Sequence, residues 1–210
     1  FELKIMPLPA VKNNFVTFGC VNKLSKLNDE VIKIWSKILL NIPKSKLLLK
    51  NKVLNNQSVI NNIAKKFEKN KVEKDQLIFE GESKTREELL NTYNKIDIAL
   101  DPFPFQGNTS SIEAIWMGVP IITLKGDRYL FHFGESINSS LKMKDWIADN
   151  KEDYIFKAKK FSSDLENLKK KRLILRKLFY ESPLYNSENF SNNFHDMLWK
   201  IWKDFEKSKK

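Results

Sequence analysis

Cysteine is nearly absent from this sequence. Cys20 is alone among 210 residues, so no intramolecular disulfide can form, and the paired Cys or Cys with His spacings that hold zinc are missing. A reducing, cytoplasmic setting suits such a chain. Arginine is scarce as well: Arg86, Arg128, Arg172 and Arg176 are the only four, although Lys and Arg together number 37 and the formal net charge is +11. Nucleic-acid readers use Arg forks for phosphates and guanine edges, and neither an Arg cluster nor a reader motif occurs, which argues against a nucleic-acid partner. Long apolar runs are lacking too. The longest, residues 114–124, is broken by Gly118 and Pro120 and falls well short of the roughly 20 residues a membrane span needs. Residues 1–12 show no charged start, apolar centre and small-residue cleavage site, so no signal peptide is expected, and the opening Phe1 suits a piece of a longer protein.

What is present is a globule-forming composition, with 41% hydrophobic and 12% aromatic residues, enough to offset chain entropy without metal or disulfide. Residues 15–20 form a short apolar, β-rich run that reads as a buried strand. Asn28 and Asp29 then offer N-cap oxygens before Val31, Ile34, Trp35, Ile38 and Leu39, an apolar stripe at helical spacing stopped by Pro43. Further strands are expected over 46–49, 76–79, 96–100 and 119–124, and helices over 58–69, 85–94 and 109–117. Strands that are continuously apolar and alternate with helices specify a parallel sheet covered on both faces. The expected fold class is α/β, a Rossmann-like doubly wound core over 1–150, with helices over 152–160, 163–180 and 187–206 forming an α-helical C-terminal cap packed on the same domain. The 169–172 run of three lysines and Arg172 reads as a solvated helix face.

Ligands of an open parallel sheet bind at the carboxyl ends of its strands, which directs attention to loops 21–27, 81–86 and 101–111. In the last, Gly107, Asn108, Thr109, Ser110 and Ser111 place small residues and main-chain N–H groups at a helix start, where a phosphate is favoured, and Glu113 one turn later can accept from a ribose diol. The same residues would also make an ordinary Ser/Thr helix cap with a surface glutamate, and this loop alone leaves both readings open.

The stretch IDIALDPFPFQGNTSSIEAIWMGVPIIT, residues 96–123, resembles the UDP-binding segment of protein O-GlcNAc transferases, the glycosyltransferase family that includes the plant Spindly proteins. VTFGCVNKLSK, residues 16–26, is similar to a second segment of that family. Ser182, Pro183 and Leu184, with Met197 and Trp199, are similar to its C-terminal elements, so the likeness runs along most of the chain. It implies the C-terminal lobe of a GT-B enzyme: a metal-independent, cofactor-free, inverting transfer of GlcNAc or a related hexose from a UDP-sugar to a protein Ser or Thr. It also implies an N-terminal lobe and TPR-type repeats elsewhere in the parent, an acceptor protein as partner, and little activity for this lobe alone. By the same resemblance Lys26 is the catalytic lysine that neutralises the departing diphosphate. Asn22, Lys23, Phe105, Gly107, Asn108, Thr109 and Ser110 line the phosphates and sugar, Glu113 holds the ribose, and Arg86 lies by the uracil. Leu89 departs from a histidine common near the base, and Phe105 with Gln106 departs from Tyr-Asn or Cys-Asn beside the sugar. The alternative is a non-catalytic UDP-binding or scaffold module. His132 and His195 are expected to be structural or surface groups, lacking a carboxylate or nucleophile at a recognisable spacing, and Cys20 to be a small buried hydrophobe.

Overall fold

The runs TFGC, KLLLK, LIFE, IAL and IITL, rich in aliphatic or β-branched residues, become adjacent strands in the computed structural model, whose described residues are 3–209. β1 (Thr17–Cys20), β2 (Lys46–Lys50), β3 (Leu77–Glu80), β4 (Ile98–Leu100), β5 (Ile121–Leu124) and β6 (Ile147–Ala148) form one sheet in the order β3-β2-β1-β4-β5-β6. Every pairing is parallel, with Phe18 opposite Leu47 on one side and Ile98 on the other. Phe18, Leu47, Leu48, Leu49, Ile98 and Ile122 are all buried, as strands covered on both faces require.

The helices are α1 (Pro9–Asn13), α2 (Asp29–Asn41), α3 (Gln57–Glu68), α4 (Arg86–Asn91), α5 (Thr109–Trp116), α6 (Phe133–Ser140), α7 (Lys151–Ser163), α8 (Leu165–Tyr180) and α9 (Ser187–Ser208). Most of their starts follow short polar side chains, α1 after Leu8 and α6 after His132 being the exceptions. Asn28 accepts from the Val31 N–H at 2.9 Å, Thr85 from Glu88 at 3.1 Å and Asn150 from Asp153 at 2.8 Å, caps worth about 1 kcal/mol each. α2 turns Val31, Ile34, Trp35 and Ile38 into the core, as the stripe predicts. α7 packs against α2 and β5, and α8 against α5. α9 buries none of its residues. No helix among the described residues is long and apolar enough to cross a membrane.

Three elements have no counterpart in the sequence reading. α1 is five residues with Pro9 at its start, and β6 is two residues, both shorter than any periodicity window. α6 reads FGESINSS, and the residues it buries are Gly134, Ile137 and Asn138, so no apolar stripe announces it. The helix expected over 85–94 divides into α4 and a 3-10 turn at Thr92–Lys95. Arg172 also differs. It is buried rather than solvated, its guanidinium donating to the carbonyls of Met6 and Ile96 at 2.8 Å each. A helix face made of lysines and one arginine gives no warning that the arginine alone points inward to bond main-chain carbonyls.

Candidate functional site

β1 and β4 lie side by side, yet the chain leaves β1 toward β2 and leaves β4 toward β5. Their carboxyl ends therefore open a crevice between diverging connections, where a parallel sheet binds its ligand. Lys26 reaches into this crevice from a 3-10 turn at Leu24–Lys26. Its Nζ donates to the Gln106 carbonyl at 2.7 Å and to Asn22 Oδ1 at 3.1 Å. Ser110 Oγ donates to the same Asn22 oxygen at 3.0 Å, so one amide joins the lysine of the first loop to the start of α5. The Phe105 ring centroid lies 4.3 Å from the Lys26 ammonium. The main-chain N–H groups of Asn108, Thr109 and Ser110 have no acceptor among the described residues and remain available to an anion.

Beside this network lies an open cleft of about 510 Å³, walled by Asn22, Lys23, Lys50, Arg86, Leu89 and Glu113. Arg86 pairs with Glu113 Oε1, and the Tyr93 hydroxyl lies 3.2 Å from Oε2 and 2.9 Å from the Ser110 carbonyl. Glu113 is 8% exposed, so these partners hold its carboxylate in one place at the cleft's edge. Lys50, equally buried, donates to the Gly81 carbonyl at 3.0 Å and lies 3.6 Å from Glu80.

Beneath the loop that leaves β4 sits Asp101. Its Oδ1 accepts from the Gly107 N–H at 2.7 Å and its Oδ2 from the Thr123 hydroxyl at 3.0 Å. Burial pushes this carboxyl up to about 7, against the pull of those two bonds and of Lys26. Burial likewise lowers the Lys26 amine, opposed by the Asp101 charge, and raises the Cys20 thiol to about 12.

Comparison with known proteins gives the family. Residues 8–194 match the family described as Glycosyl transferase family 41. The chain belongs to glycosyl transferase family 41. A tomato (Solanum lycopersicum) protein named "Probable UDP-N-acetylglucosamine--peptide N-acetylglucosaminyltransferase SPINDLY" is 30% identical over 201 residues, 96% of this chain and 22% of its own length. A solved O-GlcNAc transferase mutant from Thermobaculum terrenum superposes with a TM-score of 0.85 at 32% identity, over 91% of this chain and 37% of that one. A solved structure described as "Trehalose-6-phosphate from E. coli bound with UDP-2-fluoro glucose" is 13% identical with a TM-score of 0.60 over 89% of this chain and 45% of that one, and shares the fold alone. The chain thus spans about a fifth of the curated relatives it matches. It has the α/β, Rossmann-like fold of a GT-B lobe with a helical C-terminus, as expected.

In this family 41 chain the residues named from sequence fall into one neighbourhood. Asn22, Lys26, Phe105 and Ser110 meet in the network, and Asn22, Lys23, Arg86 and Glu113 line the cleft. Gly107 differs in one respect. Its N–H is turned inward to Asp101 rather than left free, so it shapes the loop instead of offering a donor. The Gln106 side chain also turns inward, bonding the Leu124 carbonyl and accepting from the Gly134 N–H at 2.7 Å, so it is held within the scaffold. His132 does have a carboxylate partner, Glu135 Oε2 at 2.6 Å three residues on, while His195 is exposed on α9. Asp101, Tyr93 and Lys50 escaped the sequence reading. An acid placed directly after an apolar strand and before Pro102 was the available signal for the first; nothing local marks the other two.

Proposed function

We propose that this chain is the donor-binding lobe of a protein O-glycosyltransferase, holding a UDP-sugar whose hexose passes with inversion to a protein Ser or Thr hydroxyl. The observation that carries the reading is the single Asn22 oxygen shared by Lys26 Nζ and Ser110 Oγ, which fixes an amine and an amide-rich helix start around one space. A pyrophosphate fits that space: both Lys26 partners are acceptors, as suits an ammonium, and the free N–H groups at 108–110 add donors. The ribose would extend along the cleft to Glu113, with Arg86 beside the base and Phe105 beside the hexose. Relatives named as UDP-N-acetylglucosamine-dependent peptide transferases support the donor class.

In the reaction the acceptor oxygen bonds to the anomeric carbon as the bond from that carbon to the β-phosphate oxygen breaks on the opposite face. UDP leaves with the bonding electrons and the hydroxyl proton is released. Charge grows on the β-phosphate, so Lys26 and the amides at 108–110 bind the transition state more strongly than the ground state. The scheme needs no metal or cofactor, the lysine supplying the positive charge. A second Rossmann lobe, TPR-type repeats and a cytoplasmic location belong to the same proposal for the parent protein, as does the acceptor protein. The test is calorimetric titration with UDP, with Lys26→Ala lowering affinity about tenfold or more. UDP-GlcNAc or UDP-glucose at about 100 times Kd should stabilise the chain by about 2.7 kcal/mol. Melting shifts no larger than those from ADP would overturn the donor assignment.

A further inference from the structure

The geometry points to Asp101 as a positioning residue of this site: its carboxylate holds the loop after β4 in the shape that brings Lys26 and the start of α5 together, and its charge is set against that of the bound pyrophosphate. The inference rests on the donor reading above and adds a residue that touches no ligand.

Four observations converge on this one side chain. Asp101 Oδ1 takes the Gly107 N–H at 2.7 Å, bending the loop just before the three N–H groups that have no acceptor among the described residues. Asp101 Oδ2 takes the Thr123 hydroxyl at 3.0 Å, tying the loop to β5. Space around the carboxylate is closed: a Cβ on Gly107 would lie 3.0 Å from Oδ1 and 2.9 Å from Ser110 Oγ, and one on Gly134 would lie 2.5 Å from Oδ2. Gln106 then clamps the same loop to Leu124 and Gly134 while its carbonyl holds Lys26 Nζ at 2.7 Å. Lys26 is therefore aimed by a loop whose curvature Asp101 sets.

The charge argument follows from what surrounds the carboxylate. The ionisable groups facing it are Cys20 on β1, Lys26 on the 3-10 turn and Tyr154 on α7, whose hydroxyl donates to the Asp101 carbonyl at 3.0 Å. Burial raises both the thiol and the phenol, so they stay neutral near pH 7, leaving Lys26 as the nearby cation. A pyrophosphate brought to Lys26 adds negative charge on the same side and favours protonated Asp101. Protonation need not break the loop. Thr123 can reverse its hydroxyl and accept from the acid while Oδ1 keeps Gly107.

The test is titration of the 210-residue chain with UDP-GlcNAc, whose pyrophosphate is a diester and does not titrate near neutrality, at about pH 6 and about pH 8. Wild type is expected to lose affinity by roughly threefold or more as pH rises, the scale of a like-charge repulsion through partly aqueous surroundings. Asp101→Asn keeps an acceptor for Gly107 and can donate to Thr123, so it should bind with a flat profile at near the pH 6 affinity of wild type. Asp101→Ala should lose about tenfold at both pH values. If Ala does not fold, the Asn profile decides alone. Equal slopes for wild type and Asp101→Asn, or an affinity that rises with pH, would overturn the role of Asp101. Absence of binding by wild type at both pH values would instead sink the donor reading.

Discussion

Two buried aspartates bracket β4, and their surroundings separate what holds the fold from what shapes the site. Asp97, at the amino end, receives the Ala10 N–H at 2.9 Å and the Thr17 N–H at 2.8 Å, one on each oxygen. The guanidinium of Arg172 is its nearby positive charge, and Arg172 in turn bonds the carbonyls of Met6 and Ile96. This end ties the lead segment and α8 to the sheet. Asp101, at the carboxyl end, exchanges one of those rigid main-chain donors for the Thr123 hydroxyl and faces Lys26 beside an open cleft. Same residue type, same burial; the difference is that Asp97 is locked by donors that cannot reverse, whereas Asp101 has a partner that can. A sheet of parallel strands thus keeps its stiff polar contacts at one end and its adjustable ones at the other.

The most forceful way to break this comparison is Arg172→Met. It leaves Asp97 without its cation and strands the Met6 and Ile96 carbonyls, and should cost about 3–5 kcal/mol in denaturant unfolding while leaving the UDP affinity of the folded protein unchanged. A weaker affinity would mean the two ends are coupled. Next is the pH dependence of stability. The native carboxyls sit at about 6 for Asp97 and about 7 for Asp101 against 3.8 when unperturbed, so between those values the native state holds protons the unfolded state has released. Their stabilisation is complete below about pH 4 and is lost as pH rises toward 7. Asp101→Asn should remove its share of that fall across about pH 4 to 7, an amount on the order of 4 kcal/mol, in melts at stepped pH. Asp97→Asn sharpens the contrast: its amide must oppose either Ala10 or Thr17 with a donor, costing about 1–3 kcal/mol, against less than about 1 kcal/mol for Asp101→Asn near pH 6. The smallest effect belongs to Lys169→Ala on the exposed side of α8, within about 0.5 kcal/mol by the same unfolding measurement.

Much of this was legible from residues alone. Stripes such as Val31, Ile34, Trp35 and Ile38 must face one way on a helix, and runs such as Lys46–Lys50 must be covered on both faces, so the alternation itself dictates a parallel sheet. The loops at strand ends followed from that topology, and with them the 108–110 segment, whereas Lys26 and Asn22 were picked out within their loop by the family resemblance. α6 and β6 were not legible, because packing against β5 rather than any internal pattern makes them regular.

By itself, then, the sequence determined β1 to β5, the helices between them, their order in the chain and which strand-end loops carry polar groups, since those depend on local periodicity and on the connection rules of parallel strands. The tertiary structure alone decided that Arg172 turns inward, that Gln106 serves the scaffold rather than the cleft, and that Asp101 lies under the loop it shapes. Those outcomes rest on hydrogen bonds between residues up to 166 positions apart, and no local pattern encodes where a distant carbonyl or hydroxyl will be.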